Sequence, residues 1–160
     1  MQSPEPFQIS ATDFWLLSHR TDSALPGYLV LGSKLPTNNL LELPQAALAE
    51  LGPLLAEAQK ALTSRLRPNR LYISRYGHSP GHSFHFHLIP VYDWVERLFW
   101  SDHRYRSLEQ FTDASSEPGT DGAELTLFIW REFCERADPP PVEGPSVAEV
   151  IALLRQVMGS

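Results

Sequence analysis

Two histidines separated by one residue, His85 and His87, are the side chains in this sequence best suited to chemistry. They lie in the run Ser-Phe-His-Phe-His-Leu-Ile-Pro at 83–90, whose residues favour extended chain. Successive side chains of a strand point to opposite faces, so Ser83 and both imidazoles share one solvated face, and aromatic and leucine side chains share the buried face. Pro90 should end this strand, because proline has no N–H to donate. A neutral imidazole fixed on such a strand can attack phosphorus near pH 7.

The elements around this strand indicate how it is positioned. Three other apolar runs predict strands, at 14–19, 28–31 and 71–74, of which the first two form a hairpin. Leucines and alanines at i, i+3 and i+4 spacing predict a long helix over 43–66, kinked or split at Gly52-Pro53. This helix should cover the sheet face formed by Phe84 and Phe86.

The remainder of the chain predicts a helical extension. The segment after Pro90, up to about residue 119, has no clear period and is interpreted as irregular structure beside the site. Capping-box patterns then predict helices at 121–136 and 146–158. We expect one domain over 1–160, with a loose lead-in at 1–12 and the extension at 120–160.

The run His85-Phe86-His87-Leu88-Ile89-Pro90 resembles the core of the histidine-triad (HIT) family of nucleotide hydrolases and transferases. The family motif is three histidines alternating with apolar residues, and Ser83 stands where the first histidine would be. The Pro26-Gly27-Tyr28 turn and the glycine-containing loop at 76–82 are similar to family features in the corresponding places. The resemblance covers roughly residues 14–92.

The resemblance implies an α+β fold, with an antiparallel sheet of about five strands, the long helix on one face, and the C-terminal helices as an addition. It also implies that His85 forms a nucleotidyl-histidine with the α-phosphate, which water then cleaves. His87 would contact the phosphate, and Ser83 could donate one hydrogen bond to it. Because serine brings no imidazole, we expect a slow hydrolase. The family commonly dimerises, which implies a homodimer.

Residues outside the motif are candidates for substrate binding. Ser79 and His82 lie in the glycine-rich loop, where backbone N–H groups can approach a phosphate closely. His19 and Arg20 precede the Pro26-Gly27-Tyr28 turn, and the resemblance implies that residues just before this turn face the nucleoside. For each, a purely structural role is the competing interpretation.

Composition limits the functions that this chain can have. The net charge of −6 argues against binding long nucleic acid through a general electrostatic field. No apolar run is long enough to span a membrane, and the first residues lack the regions of a signal peptide. The single Cys134 cannot form an internal disulfide, so a cytoplasmic protein is expected.

Two functional alternatives to a hydrolase remain open, beside the interpretation that the two histidines only line a solvated sheet face. Four histidines lie within ten residues, at His78, His82, His85 and His87, and imidazole is a common ligand for zinc or copper. We expect no metal and no cofactor, because the resemblance covers more of the chain than a ligand cluster would explain. The missing first histidine favours the other alternative, a module that binds a nucleotide without cleaving it.

Overall fold

The computed structural model describes residues 6–76, 81–105 and 122–159. Within these ranges the chain has an α+β fold, in which five antiparallel strands form one sheet in the order β1-β2-β3-β5-β4. The strands are β1 Gln8–Ala11, β2 Trp15–His19, β3 Leu29–Ser33, β4 Arg70–Ser74 and β5 His85–Val91. The sheet and the β2–β3 hairpin are therefore as predicted.

Strand β5 lies between β3 and β4, and the register fixes its neighbours. Gly32 of β3 is paired with His85, and Ser74 of β4 is paired with His87. Directly paired residues lie on the same face of a sheet, so Gly32 and Ser74 share the face that carries the two histidines. The site is thus built on the two strands that flank β5.

One face of the sheet is covered by two helices, α1 Gln45–Leu66 and the C-terminal α4 Val147–Met158. Phe84 and Leu88 are buried there against Ala58 and Leu62 of α1, as the sequence predicts. The indole of Trp15 donates a hydrogen bond to the carbonyl of Ala47 (2.9 Å), which ties the first turns of α1 to the sheet. We call this cluster the first core.

The opposite face carries a second apolar cluster, which the sequence analysis missed. The segment interpreted as irregular contains helix α2, Asp93–Ser101, and helix α3, Gly122–Ile129, follows it later in the chain. Both pack on the histidine-bearing side of β5, where Ile89 and Val91 are fully buried. We call this cluster the second core. It makes half of the supposedly solvated face part of the interior.

The C-terminal helices are close to their predicted positions. Helix α3 continues as a π-helical stretch, Trp130–Glu135. Ser146 and Glu149 form the predicted capping box at the start of α4. The other predicted cap falls on Asp121, outside the described residues.

Three local predictions are wrong. Part of the expected lead-in forms β1, which pairs with β2. Helix α1 is continuous through Pro53, whose position on the exposed side lets water satisfy the carbonyl that loses its donor. Strand β5 runs through Pro90 to Val91. The ladder to β3 ends at Leu88, so proline has a neighbouring strand on one side only.

None of the helices in the described ranges combines the length and the apolar character that a membrane crossing requires.

Candidate active site

His85 and His87 begin β5 and point to the same side of the sheet, with ring centroids 5.0 Å apart. The same face continues into Ile89 and Val91, which the second core covers. The histidines therefore lie where the covered part of the sheet gives way to its open part. His85 is partly exposed and His87 is 9% exposed.

The ring of His85 is oriented by its own chain. Its Nδ1 lies 2.7 Å from the carbonyl oxygen of Ser83. A carbonyl can only accept, so Nδ1 is the nitrogen that carries the proton. In the neutral ring this leaves the lone pair on Nε2, which is the nucleophilic position of an imidazole. The cross-strand partner Gly32 has no side chain to cover the ring.

The ring of His87 is held by side chains. Its Nδ1 is 3.1 Å from the hydroxyl of Tyr28, and the ring of Tyr76 packs against it at 5.5 Å. Burial, with repulsion from His85 and Arg20, lowers the pKa of His87 to about 4. His87 is therefore neutral at pH 7 and has one N–H to offer.

Behind Tyr28 the polar contacts continue to a carboxylate. Arg20 donates from Nη1 to the Tyr28 hydroxyl (2.9 Å) and makes a two-pronged contact with Asp22 at 2.5 and 3.0 Å. Its guanidinium also lies over the rings of Tyr28 and Trp130, 5.0 and 5.2 Å from their centroids. Burial raises the pKa of Tyr28 to about 12, so its hydroxyl keeps its proton at any ordinary pH.

The predicted site residues are brought together only in part. Ser83 precedes β5 and touches His85 through its backbone carbonyl, and its hydroxyl bonds to no residue that the structure describes. His82 is exposed, with its ring 6.3 Å from that of His85. Ser79 and His78 lie outside the described residues.

His19, predicted to contact substrate, lies inside the fold beside the loop that carries Arg20. It is fully buried, and its two ring nitrogens face the backbone carbonyls of Arg20 (2.9 Å) and Leu25 (3.1 Å). Burial lowers the pKa of this imidazole, although both carbonyls favour its charged form. The side chain spans the loop that carries Arg20.

Three residues of the site were missed from the sequence: Tyr28, Gly32 and Ser74. The Ser74 hydroxyl is buried, and among the described residues it has no hydrogen-bond partner. Glycine inside a strand often marks a close approach of a ligand, which is a signal that Gly32 offered. No local sequence signal points to Tyr28, because its contact with His87 joins residues 59 positions apart.

The described residues contain no group of three or more histidine, cysteine, aspartate or glutamate side chains arranged to hold a metal ion. His82, His85 and His87 form a succession of rings, with centroid distances of 6.3 and 5.0 Å. The arrangement places His85, the candidate nucleophile, beside the neutral hydrogen-bond donor His87.

Comparison with known proteins gives matches in structure only. No protein-family model matches the sequence, and no curated protein matches it. A zinc-bound histidine triad family protein from Mycobacterium smegmatis matches with a TM-score of 0.53 at 15% identity, over 98% of this chain and 86% of that one. The match places this chain in the HIT fold.

Two further solved structures match with lower TM-scores. A HIT-like protein from Bartonella henselae, described as involved in cell-cycle regulation, has a TM-score of 0.48 at 16% identity, over 54% of this chain and 70% of that one. A hypothetical histidine triad nucleotide-binding protein from Sulfolobus tokodaii has a TM-score of 0.48 at 14% identity, over 96% and 88%. The shared fold rests on the Mycobacterium smegmatis match, and its identity of 15% establishes nothing about activity.

Proposed function

We propose that this protein hydrolyses a nucleoside phosphate derivative, of the dinucleoside polyphosphate or nucleoside phosphoramidate type, through a nucleotidyl-histidine on His85. The observation that carries the proposal is the 2.7 Å contact between His85 Nδ1 and the Ser83 carbonyl. It fixes the tautomer in which Nε2 holds the lone pair, on a strand that needs no rearrangement before attack.

The reaction has two displacements at one phosphorus. The Nε2 lone pair of His85 forms a bond to the α-phosphorus, and the bond from phosphorus to the leaving oxygen or nitrogen breaks with its electron pair. The leaving group then takes up a proton from solvent, and the second step returns one proton to solvent as the attacking water becomes a phosphate oxygen. Water next attacks the same phosphorus, the P–N bond breaks, and nucleoside monophosphate leaves with the neutral imidazole restored.

His87 serves this reaction as a donor to the phosphate oxygens. Burying a neutral N–H in this largely desolvated site costs less free energy than burying a charged ring. Its hydrogen bond to the phosphate becomes stronger as negative charge develops there. The Ser74 hydroxyl, buried and unpartnered among the described residues, lies across from His87 on the same face of the sheet. Ser83 adds at most one further uncharged donor, so we propose a slow turnover.

The remaining predicted contacts belong to the edge of the site. His82 is exposed within 6.3 Å of the His85 ring, and Ser79 belongs to the same glycine-rich loop. We propose both for the side of the pocket where the leaving group lies. Arg20 reaches His87 only through Tyr28, and His19 is held by two carbonyls, so neither is assigned a direct contact with substrate.

The test is to incubate the purified protein with a panel of adenylated and guanylated substrates and to measure nucleoside monophosphate. Quenching in alkali should trap a histidine adduct, which wild type forms and His85→Ala does not. His103→Ala is the matched control, since His103 is an exposed histidine in a short 3-10 turn outside β5.

Other outcomes would select the alternatives. Binding of nucleotide without turnover or adduct would favour a nucleotide-binding module. One zinc or copper ion per chain in the purified protein, with stability lost on chelation, would favour a metal-binding protein. The homodimer implied by the resemblance stays a prediction, which sedimentation velocity would check.

A further inference from the structure

The Tyr28 hydroxyl is enclosed between two nitrogen atoms. Tyr28 is 1% exposed. Its oxygen lies 2.9 Å from Nη1 of Arg20 and 3.1 Å from Nδ1 of His87. A hydroxyl has one hydrogen to give and two lone pairs with which to accept, so the direction of these two contacts can be worked out.

The arginine decides that direction. A guanidinium has only donors, so Arg20 must donate to the Tyr28 oxygen. Among the described residues, His87 Nδ1 is the one acceptor within reach of the remaining hydroxyl hydrogen. Leaving a buried hydroxyl hydrogen without an acceptor would cost the hydration free energy that the group gives up on burial, with nothing in return. The hydroxyl therefore donates to Nδ1, and the proton of the neutral His87 ring lies on Nε2.

Arg20 is itself fixed in place. Asp22 holds it through two oxygens, and the rings of Tyr28 and Trp130 lie under the guanidinium. The planar fork of arginine suits such a bidentate contact and loses little freedom in making it. The donor that orients the tyrosine hydroxyl is thus held on three sides.

We infer that Tyr28, oriented by Arg20, is a positioning residue that holds His87 in the Nε2–H tautomer, opposite to that of His85. The backbone carbonyl of Ser83 imposes Nδ1–H on His85, and the tyrosine hydroxyl imposes Nε2–H on His87. Two histidines with ring centroids 5.0 Å apart are thereby made to differ, one with its proton on Nδ1 and one with its hydrogen on Nε2. The use of this difference in catalysis rests on the proposed function. The tautomers themselves follow from the hydrogen bonds and do not depend on that function.

The tautomers can be read directly from the protein without substrate. Histidine labelled with 15N gives distinct signals for protonated and unprotonated ring nitrogens, and the His87 signals are assigned with the His87→Gln variant. At pH 7 we expect wild-type His87 to have a bare Nδ1 and a protonated Nε2, and His85 to carry a proton on Nδ1. A protonated Nδ1 on wild-type His87 would overturn the inference, whether or not any variant folds.

The variant Tyr28→Phe keeps the ring and removes only the hydroxyl. We expect its His87 to move towards the Nδ1–H tautomer or a mixture, and the kcat to fall at least about tenfold with KM within about twofold. Arg20→Met should produce a smaller shift in the same direction, because the hydroxyl can still donate without the arginine. An unchanged His87 tautomer in Tyr28→Phe would overturn the inference.

Tyr76→Phe is the matched control for loss of a tyrosine hydroxyl next to His87. The Tyr76 ring lies 5.5 Å from the His87 ring, and among the described residues no hydrogen bond joins its hydroxyl to that ring. We expect this variant to keep the wild-type tautomer. The expected tautomers in a protein that turns over no substrate would contradict the proposed function and leave the assignment of Tyr28 standing.

Discussion

The histidine-bearing face of β5 has two halves with opposite surroundings. His85 lies in the first half, where it is partly exposed and Gly32 leaves the neighbouring strand bare. Ile89 and Val91 lie in the second half, and the second core covers both completely. One strand therefore supplies both the surface proposed to be reactive and a buried anchor. The anchor fixes the strand in the fold without covering the half that carries His85.

His87 lies at the boundary between the halves. It is close enough to the second core to lose most of its hydration, and close enough to the opening to offer its remaining nitrogen. His85, two residues earlier on the strand, remains partly exposed to solvent. The change over one dipeptide is what gives the two imidazoles different roles in the proposed reaction.

Removing the reactive group should have the largest effect. We expect His85→Ala to lower turnover by at least about a thousandfold, because no other group replaces the nucleophile. Its free energy of unfolding should change by less than about 1 kcal/mol, since the ring is partly exposed. Release of nucleoside monophosphate and urea unfolding measure the two quantities. Retention of more than a few per cent of the wild-type rate would remove the assignment of His85.

Shortening a side chain in the buried half of β5 should chiefly lower the free energy of unfolding. Ile89→Ala should lower the free energy of unfolding by about 3 kcal/mol, because it opens a cavity in the second core. Ile73→Ala, at a partly exposed position on the edge strand β4, should cost less than about 1 kcal/mol. Urea titration of both variants makes the comparison. Equal losses would mean that the second core is not the anchor.

Restoring the first histidine of the motif should raise the rate of the proposed reaction. Ser83→His places an imidazole where the family motif has its first histidine, next to the developing negative charge. Such a group is worth on the order of 3 kcal/mol, so we expect up to about a hundredfold rise in rate. An unchanged or lower rate, with the fold preserved, would indicate a pocket built around serine, and would favour the binding module or another substrate.

Adding a side chain at position 32 of β3 should lower the rate of the proposed reaction. A Cβ at position 32 would stand 3.8 Å from the Cβ of His85, an ordinary contact that the fold tolerates. The branched methyl groups of Gly32→Val should obstruct the approach of a phosphate and lower kcat/KM about tenfold, with Gly32→Ala in between. Steady-state kinetics of the two variants check this. Wild-type kinetics in Gly32→Val would place the approach to His85 elsewhere.

The smallest effect concerns pH. The pKa of His87 is lowered to about 4 in the folded protein, below the value near 6.5 of an unfolded chain. Between these values the unfolded state binds more protons, so the free energy of unfolding should fall as pH decreases from about 6.5 to about 4. After discounting for solvent, the His87 contribution is about 1–2 kcal/mol. Urea titrations should give His87→Gln a shallower pH dependence, and an equal slope would contradict this origin.

Local patterns predicted what is local in this fold. The spacing of leucines located α1, the capping box located α4, and alternation located β5, since each signal depends on neighbours within a few residues. Strand β1 escaped notice because Gln8–Ala11 mixes polar and apolar residues after two prolines. Its strand character comes from pairing with β2.

The surroundings of the histidines could not be predicted in the same way. Nothing near α2 or α3 in the sequence states that these helices fold back over the strand before them. The sequence predicts two histidines on one face. Which of them is buried from solvent depends on the packing of the second core. Likewise the Tyr28–His87 contact depends on the register of β3 against β5, which closes only when the sheet forms.

The imidazole of His19 has a consequence for how this chain can vary. By facing carbonyls at both ends of the 20–25 loop, it sets the distance that the loop must span. The amide of Ala24 also donates to the carbonyl of Phe133, which fixes the same loop close to its end at Leu25. Most surface loops accept insertions easily. Relatives that share this site should keep the number of residues between His19 and Leu25 and accept length changes in other loops.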